Sequence, residues 1–265
     1  MTNDQRPLLS TAIRAAQAAA KLQQFYAGGD LEITTKSGET DLVTKVDKLC
    51  EARIREILLS AYPDHVVLGE EEGQPDGASR YRWIVDPVDG TTNYAQGFPF
   101  YCVSIGLELD GVMEIGVVLD GVRGELFTAV KGGGAFLNGV PIEVTQKTEL
   151  IDALVATGFA YHQDTIRENI EVFARVHERV RSVRRPGAAA LDLSYVACGR
   201  LDGFWELGLK PWDAAAGILL IQEAGGTITG AAGEPYSLGD RVLVASNGHL
   251  HMKLVTLMGL GEVLA

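Results

Sequence analysis

Trp83-Ile84-Val85 is a short apolar run that stops at an acid. Asp86, Pro87, Val88, Asp89, Gly90, Thr91, Thr92, Asn93 and Tyr94 follow without a break. The apolar triplet reads as a buried strand, Pro87 stiffens its exit, and Gly90 frees the backbone for a sharp turn. Thr91 then opens a short helix. The chain is thereby constrained to a strand–turn–helix unit that delivers two carboxylates, three residues apart, to the end of a strand. Carboxylates at that spacing, with the backbone oxygen of Val88 between them, can share one hard cation. The free N–H groups of the helix start can face an anion such as phosphate. A turn whose aspartates merely cap neighbouring amides would explain a bare DPxDG. The strand before this one and the threonine pair after it favour a catalytic turn.

The rest of the chain supplies the setting. Pro7 to Ala27 reads as a helix, with Leu8, Leu9, Ala12, Ile13, Ala16, Ala19 and Ala20 at helical spacing and Gly28-Gly29 ending it. The polar stretch Asp30–Leu42 reads as a hairpin or loop. Thr44 is a candidate N-cap with Asp47 three residues on, and Ile54, Ile57 and Leu58 form the buried face of the helix it opens. Val66–Leu68, Trp83–Val85, Tyr101–Leu109, Glu114–Leu119 and Glu125–Ala129 read as strands joined by hairpin turns. Gly132–Gly134 fits no nucleotide loop and reads as turn geometry. Beyond about residue 150 strands and helices alternate: Leu154–Thr157, Thr165–Glu178, Arg181–Arg184, Ala188–Cys198, Gly203–Glu206, Pro211–Glu223, Val242–Ala245 and His249–Met258. Alternation of this kind implies a more parallel sheet. The expectation is a mixed α/β (α+β) protein with a cleft between two regions. Residues 1–150 would carry a largely antiparallel sheet, and residues 151–265 a more parallel one.

Composition narrows the partners. Acidic residues number 35 and basic ones 23, a net charge of −12 at neutral pH. No basic tract exceeds the mixed stretch Arg179–Arg185, which argues against nucleic acid and against an anionic membrane surface. Hydrophobic residues at 46% and charged ones at 22% exclude a disordered chain. The longest apolar stretch, Ala214–Ile221, is far too short to span a bilayer. Cys50, Cys102 and Cys198 sit among apolar neighbours without a CxxC and read as reduced thiols, which places the protein in the cytoplasm.

Two further acidic segments stand apart from the first. Glu70 ends the run Val66–Leu68, and Glu71 and Glu72 beside it read as surface loop. Asp213, in Lys210-Pro211-Trp212-Asp213-Ala214-Ala215-Ala216-Gly217, sits in the first turn of a helix, where capping and the helix dipole alone would justify it at ~0.5–1 kcal/mol. Asp47 has a similar capping explanation. His65, His162, His177, His249 and His251 lie in no motif and read as surface or core residues. No GxSxG or HExxH competes, and Asp86–Gly90 does not match a calcium-binding D-x-[DN]-x-[DN]-G loop.

Taken together, Gly69-Glu70-Glu71, Asp86-Pro87-Val88-Asp89-Gly90-Thr91-Thr92-Asn93-Tyr94 and Trp212-Asp213-Ala214-Ala215-Ala216-Gly217 resemble the inositol monophosphatase family of magnesium-dependent, lithium-sensitive phosphatases. The resemblance runs from Lys36–Asp47 to Glu223-Ala224-Gly225-Gly226. The stretches Gly187–Leu193 and Gly199–Glu206 look like the bacterial branch. The resemblance implies an αβαβα layered sandwich. It implies that Glu70, Asp86 and the carbonyl of Val88 hold one Mg²⁺ and that Asp86, Asp89 and Asp213 hold a second, with a third weakly held ion facing Glu70 through water. Gly90 and Thr91 would bind phosphate by backbone N–H, Thr91 with Asp47 would orient the attacking water, and Asp89, Ala189 and Glu206 would contact the polyol. Hydrolysis would proceed by direct in-line attack of water.

At Ala188 the sequence departs from relatives that carry Ser or Thr, which leaves the identity of the alcohol open. The expected partner is a small phosphorylated polyol or sugar, with inositol monophosphate first. Fructose-1,6-bisphosphate, histidinol phosphate and 3′-phosphoadenosine phosphates are the rivals within the superfamily. Arg184 and Arg185 read as a solvated strand end in preference to an anchor for a second phosphate. A regulatory scaffold for the transcription machinery is the alternative of another class. A homodimer and inhibition by Li⁺ are also implied.

Overall fold

The computed structural model describes residues 5–36, 38, 41–73, 79–161 and 163–260. His162 therefore lies outside the described residues, as do positions 37, 39 and 40 of the polar stretch after the first helix.

Helix α1 (Gln5–Tyr26) buries Thr11, Ala12, Ala15, Ala16, Ala19, Ala20 and Gln23. These mostly small side chains let α2 (Lys45–Ala61) approach closely, and the Cys50 thiol reaches the carbonyl of Ala19 at 3.4 Å. Between the helices, β1 (Thr34–Thr35) and β2 (Leu42–Val43) form a small antiparallel pair. The N-cap expected at Thr44 is present as a full capping box: Thr44 Oγ1 accepts from the Val46 amide, and the Asp47 carboxylate accepts from the Thr44 amide at 2.8 Å.

Seven strands follow in one sheet, in the order β3 (Val66–Gly69), β4 (Tyr81–Asp89), β5 (Cys102–Leu109), β6 (Val112–Asp120), β7 (Glu125–Val130), β8 (Gly134–Leu137) and β9 (Val140–Pro141). Only β3 and β4 pair in parallel, and the remaining neighbours are antiparallel. The five-stranded sheet has the order β11 (Ser182–Arg184), β10 (Leu154–Thr157), β12 (Gly203–Leu207), β14 (Val242–Ser246) and β13 (Thr227–Thr229). Here β10 pairs in parallel with both β11 and β12, whereas β14 runs antiparallel to β12 and β13. It is the more parallel of the two sheets, as expected, although half its pairings are antiparallel.

Helices α1 and α2 cover one face of the larger sheet. Helices α5 (Ala189–Ala197) and α6 (Pro211–Glu223) lie between the two sheets, and α4 (Gln163–His177) and α7 (His251–Met258) cover the outer face of the smaller one. The layers are therefore α, β, α, β, α. One apolar core, with Phe127, Val118, Leu191, Leu193, Leu220 and Phe204, runs through the central helices into both sheets. Helix α6 fits because its contact stripe is Ala214-Ala215-Ala216-Gly217 and the strands facing it present glycine. A Cβ on Gly106 would lie 2.9 Å from the Cβ of Ala215, and one on Gly116 would lie 2.7 Å from the carbonyl oxygen of Ala216. That close seating fixes the start of α6, and with it Asp213, over the ends of β4 and β5.

Three details differ from the sequence reading. Strand β4 does not stop at Val85; it runs through Asp89 with a register shift against β5 between Asp86 and Asp89. The bulge admits the proline and re-aims the side chains on either side of it. A strand does follow the glycine run, as β8, but β9 and β13 have no counterpart in the sequence reading. Glu71 is not a solvated loop residue, because its side chain is 5% exposed and paired with Lys36.

Candidate active site

Strand β4 brings Asp86 and Asp89 to the site as buried residues, 3% and 6% exposed. Asp86 Oδ1 accepts from the Val88 amide at 3.0 Å, which folds the bulge back on itself. At Gly90 the chain turns with φ +92°, a left-handed conformation that favours glycine. A Cβ there would also approach the carbonyl oxygens of Phe100 and Gly187 to 3.0 and 3.2 Å. Helix α3 (Thr91–Gln96) starts immediately after, and no side chain caps it. The Thr91 hydroxyl lies 3.0 Å from both Asp47 Oδ1 and the carbonyl of Val88. Asp47, Val88, Gly90 and Thr91 are thus gathered in one corner, with Asp47 fully buried at the start of α2.

The second side of the site comes from residues far along the chain. Asp89 accepts from the amides of Ala189 and Ala190, at 3.2 and 2.7 Å, and so takes the place of an N-cap for α5. The true N-cap, Ala188, has no side chain that could do this. Asp213 accepts from the Lys210 amide at 2.7 Å, so its capping role holds, and its carboxyl also shares a hydrogen bond with Asp86. Glu206, on β12, is 8% exposed and packs against the backbone of Gly158, where an added Cβ would lie 2.0 Å from its Oε2. The predicted site residues are therefore drawn into one acidic cluster: Asp47, Glu70, Asp86, Val88, Asp89, Gly90 and Thr91 from the larger sheet and its helices, and Ala189, Glu206 and Asp213 from the central helices and smaller sheet.

Glu70 is held by a device that the sequence did not reveal. Glu51, fully buried on α2, accepts from the amides of Glu71 and Glu72 at 2.7 and 3.0 Å. Arg55, one turn on, donates to Glu51, to the Val67 carbonyl and to the Gly73 carbonyl, at 2.9, 3.0 and 2.6 Å. This clamp shapes the loop over residues 69–73. Gly69 is required there, because a Cβ would fall 2.2 Å from Glu51 Oε1. Lys36 Nζ then lies 2.8 Å from Glu70 Oε1 and also meets Glu71. Tyr161 is a further neighbour; its side chain is half exposed, but its hydroxyl bonds to Thr92 close to Glu70 and Asp213, and local desolvation with those acids pushes it up to about 12. A further buried acid, Asp192 on α5, faces Glu206 and Asp89, and its Oδ1 has no hydrogen-bond partner among the described residues. In a sequence, Lys36 and Glu51 look like solvated helix and loop charges, and nothing in their spacing marks them.

The electrostatics follow from the crowding. Burial raises Glu70 to about 7, with Asp213 and Glu71 adding repulsion against the relief given by Lys36. Burial raises Asp213 to about 7 and Asp89 to about 6, the latter held down by the amides of Ala190 and Ala189. Asp86 and Glu206 are pushed well above the ordinary carboxylate range, again by burial first and by neighbouring acids second. Asp47 is raised by burial despite its bonds to Thr44 and Thr91. For Lys36 burial works against its charge, but Glu70 and Glu71 outweigh it and raise the pKa.

Even with Lys36 the acids outnumber the positive charge beside them, and the donors are those of a hard divalent cation: carboxylates plus the Val88 carbonyl. Among the described residues, no three His, Cys, Asp or Glu side chains are already closed together tightly enough to hold a metal ion. The reason is visible in the partners: Glu70 is turned onto Lys36, and Asp89 onto the amides of α5. The residues fit a divalent metal by chemistry and burial, and Glu70 would exchange an ammonium for it.

The comparisons agree with this picture. The model of the inositol monophosphatase family matches residues 4–259. An inositol-1-monophosphatase of Synechocystis is 40% identical over 96% of this chain and 92% of its own. The Nus factor SuhB of Escherichia coli K12 is 41% identical over 86% of each chain. The crystal structure of the extragenic suppressor protein suhB from Bartonella henselae superposes with a TM-score of 0.91 at 38% identity, covering 95% of this chain and 98% of that one. The chain belongs to the inositol monophosphatase family and is a phosphatase. The family is in general metal-dependent, which accords with the donor set.

Proposed function

We propose that the protein is a Mg²⁺-dependent phosphate monoester hydrolase acting on inositol monophosphate or a closely related polyol or sugar phosphate. The observation that carries this reading is the convergence of Glu70, Asp86, Asp89 and Asp213 beside the uncapped start of α3 and the Thr91–Asp47 pair. Residues 1–150 contribute most of the ligands, and residues 151–265 complete the cleft. Glu70, Asp86 and the Val88 carbonyl would hold one Mg²⁺, and Asp86, Asp89 and Asp213 a second, with a third ion facing Glu70 through water. Bound Mg²⁺ supplies Lewis-acid charge for the phosphate and the alkoxide leaving group, and acidifies the attacking water.

The chain's own residues do the rest. Asp47, raised by burial above the ordinary carboxylate range, would accept the water's proton through the Thr91 hydroxyl that donates to it. The amides of Gly90 and Thr91 orient the phosphate. Asp89, the Ala189 segment and Glu206 set the position of the polyol. Glu206 is buried on a central strand, β12, so it would discriminate by its fixed place in the sheet.

The Nus factor relative supports a second role in parallel, as a scaffold for transcription factors. A homodimer in the cytoplasm and inhibition by Li⁺ complete the reading. No helix among the described residues is long and apolar enough to cross a membrane.

The test is phosphate release by the purified protein, with and without Mg²⁺, on inositol-1-phosphate, glycerol-2-phosphate, fructose-1,6-bisphosphate, histidinol phosphate and phosphoadenosine phosphate. The highest kcat/KM is expected for inositol-1-phosphate, with loss in Asp89→Asn. Mg²⁺-independent release, or unchanged release in that variant, overturns the assignment.

A further inference from the structure

Away from the cleft, the outer helical layer has the opposite charge to the rest of the molecule. Helix α1 contains Arg6, Arg14 and Lys21 and no acid in 22 residues, although the chain as a whole carries −12. All three are exposed, and with Ser10, Gln17 and Gln24 they form one solvent-facing stripe at helical spacing. Helix α2 does not offset this. Two of its acids, Asp47 and Glu51, are turned inward at 0% exposure. Exposed Glu56 is paired with Arg53 at 2.6 Å, and Lys48 faces solvent. Between the helices runs a groove of about 600 Å³ bordered by Arg14, Lys21 and Arg53 and floored by Ala18 and Leu22, with Phe25 at its edge. Phe25 is 77% exposed, an unusual position for a large aromatic side chain.

We propose that this groove is a docking site for an acidic amphipathic helix of a protein partner. Charge complementarity selects an anionic occupant, and the apolar floor with Phe25 selects one that also brings an apolar side chain. Spacing selects a helix. Arg14 and Lys21, the two cations of α1 that border the groove, are seven residues apart, which along α1 is about 10.5 Å. Glutamates repeated every two turns on a helix laid along α1 recur at about 10.5 Å and meet both cations. A second copy of this chain fits poorly, because a two-fold contact would set the same basic face against itself. None of these residues belongs to the cleft, so docking and hydrolysis can proceed on separate faces.

The test uses the full chain and a fluorescein-labelled synthetic helical peptide of about 20 residues, roughly 30 Å long. The peptide carries glutamates every two turns and a Leu and a Phe on the adjoining face. Fluorescence anisotropy is expected to show binding that weakens with salt. It should weaken at least about tenfold in Arg14→Glu/Lys21→Glu, the size expected for reversing two contacting charges. It should weaken less in Phe25→Ala. Phosphate release and Tm should stay unchanged in all variants, which separates docking from folding and from catalysis. Binding that survives the double reversal, equal binding of a peptide with Gln for every Glu, or preferential binding of a single-stranded RNA oligonucleotide would overturn the proposal. So would a dimer in sedimentation velocity that dissociates in the same double variant, since the groove would then belong to a second copy.

Discussion

The two sides of the cleft handle buried acid differently. On the side of the larger sheet, each carboxylate has donors already in place: Asp47 has Thr44 and Thr91, Asp86 has the Val88 amide, and Glu70 has Lys36 on a loop clamped by Glu51 and Arg55. On the side of the smaller sheet, Asp192 and Glu206 are buried, and the charge that relieves them is the guanidinium of Arg185. The proposed function gives these arrangements different tasks: the first would keep charge ready for a cation and a water, and the second would offer acids to a ligand's hydroxyls. On the proposed assignment most of the metal chemistry falls to the first side, with Asp213 reaching it from the second, and the choice of alcohol falls to the second.

That contrast can be broken by substitution. The largest effect is expected from Asp213→Asn, which removes a charge from the shared set and leaves its cap to the Lys210 amide intact. Loss of one such electrostatic contact costs about 10²–10³ in kcat, measured as phosphate release at saturating Mg²⁺. A fall of less than about fivefold would place Asp213 among structural caps only.

Gly69→Ala comes next. Its Cβ has no room beside Glu51, so the loop bearing Glu70 must shift, at about 1–3 kcal/mol. The readouts are Tm and, separately, the Mg²⁺ concentration for half-maximal activity, which should rise. A change in Tm alone would confine the clamp to stability.

A third test concerns pH in the metal-free protein. Glu70 and Asp213 sit at about 7 when folded against ordinary values of 4.5 and 3.8. Between about pH 4 and pH 7 the folded form therefore binds more protons than the unfolded one, and stability falls as pH rises through that window. Thermal unfolding in chelator should show a Tm that declines as pH rises, and added Mg²⁺ should raise Tm more at pH 7.5 than at pH 5. A flat profile in chelator would contradict the crowding described above.

The smallest effect belongs to Ala188→Ser. Ala188 is 1% exposed at the head of α5, so a hydroxyl there reaches the substrate side only as one neutral hydrogen bond. A change of about 0.5–1.5 kcal/mol should appear in KM and differ between alcohols, with kcat nearly constant.

Much of this was legible in the sequence because the local rules agree. The capping box at Thr44, the Pro211 start of α6 and the turn at Gly90 announce themselves through residues whose backbone preferences are narrow. The convergence of Asp86, Asp89 and Asp213 was legible only through resemblance, since nothing local relates residue 89 to residue 213. Strand β13 escaped because three residues between glycines carry no periodicity. Strand β9 escaped because a two-residue edge has none to carry. Glu51 and Lys36 escaped for another reason: their burial is decided entirely by what packs on them from other elements.

The hydrogen bonds from Ala189 and Ala190 to Asp89 span 100 residues of chain. During synthesis the whole of the larger sheet leaves the ribosome before α5 exists, and through that interval Asp89 has no amide to meet. On the proposed assignment a nascent chain paused before α6 carries Asp47, Glu70, Asp86 and Asp89 but still lacks Asp213, so competence would be gained late in the assembly of the chain.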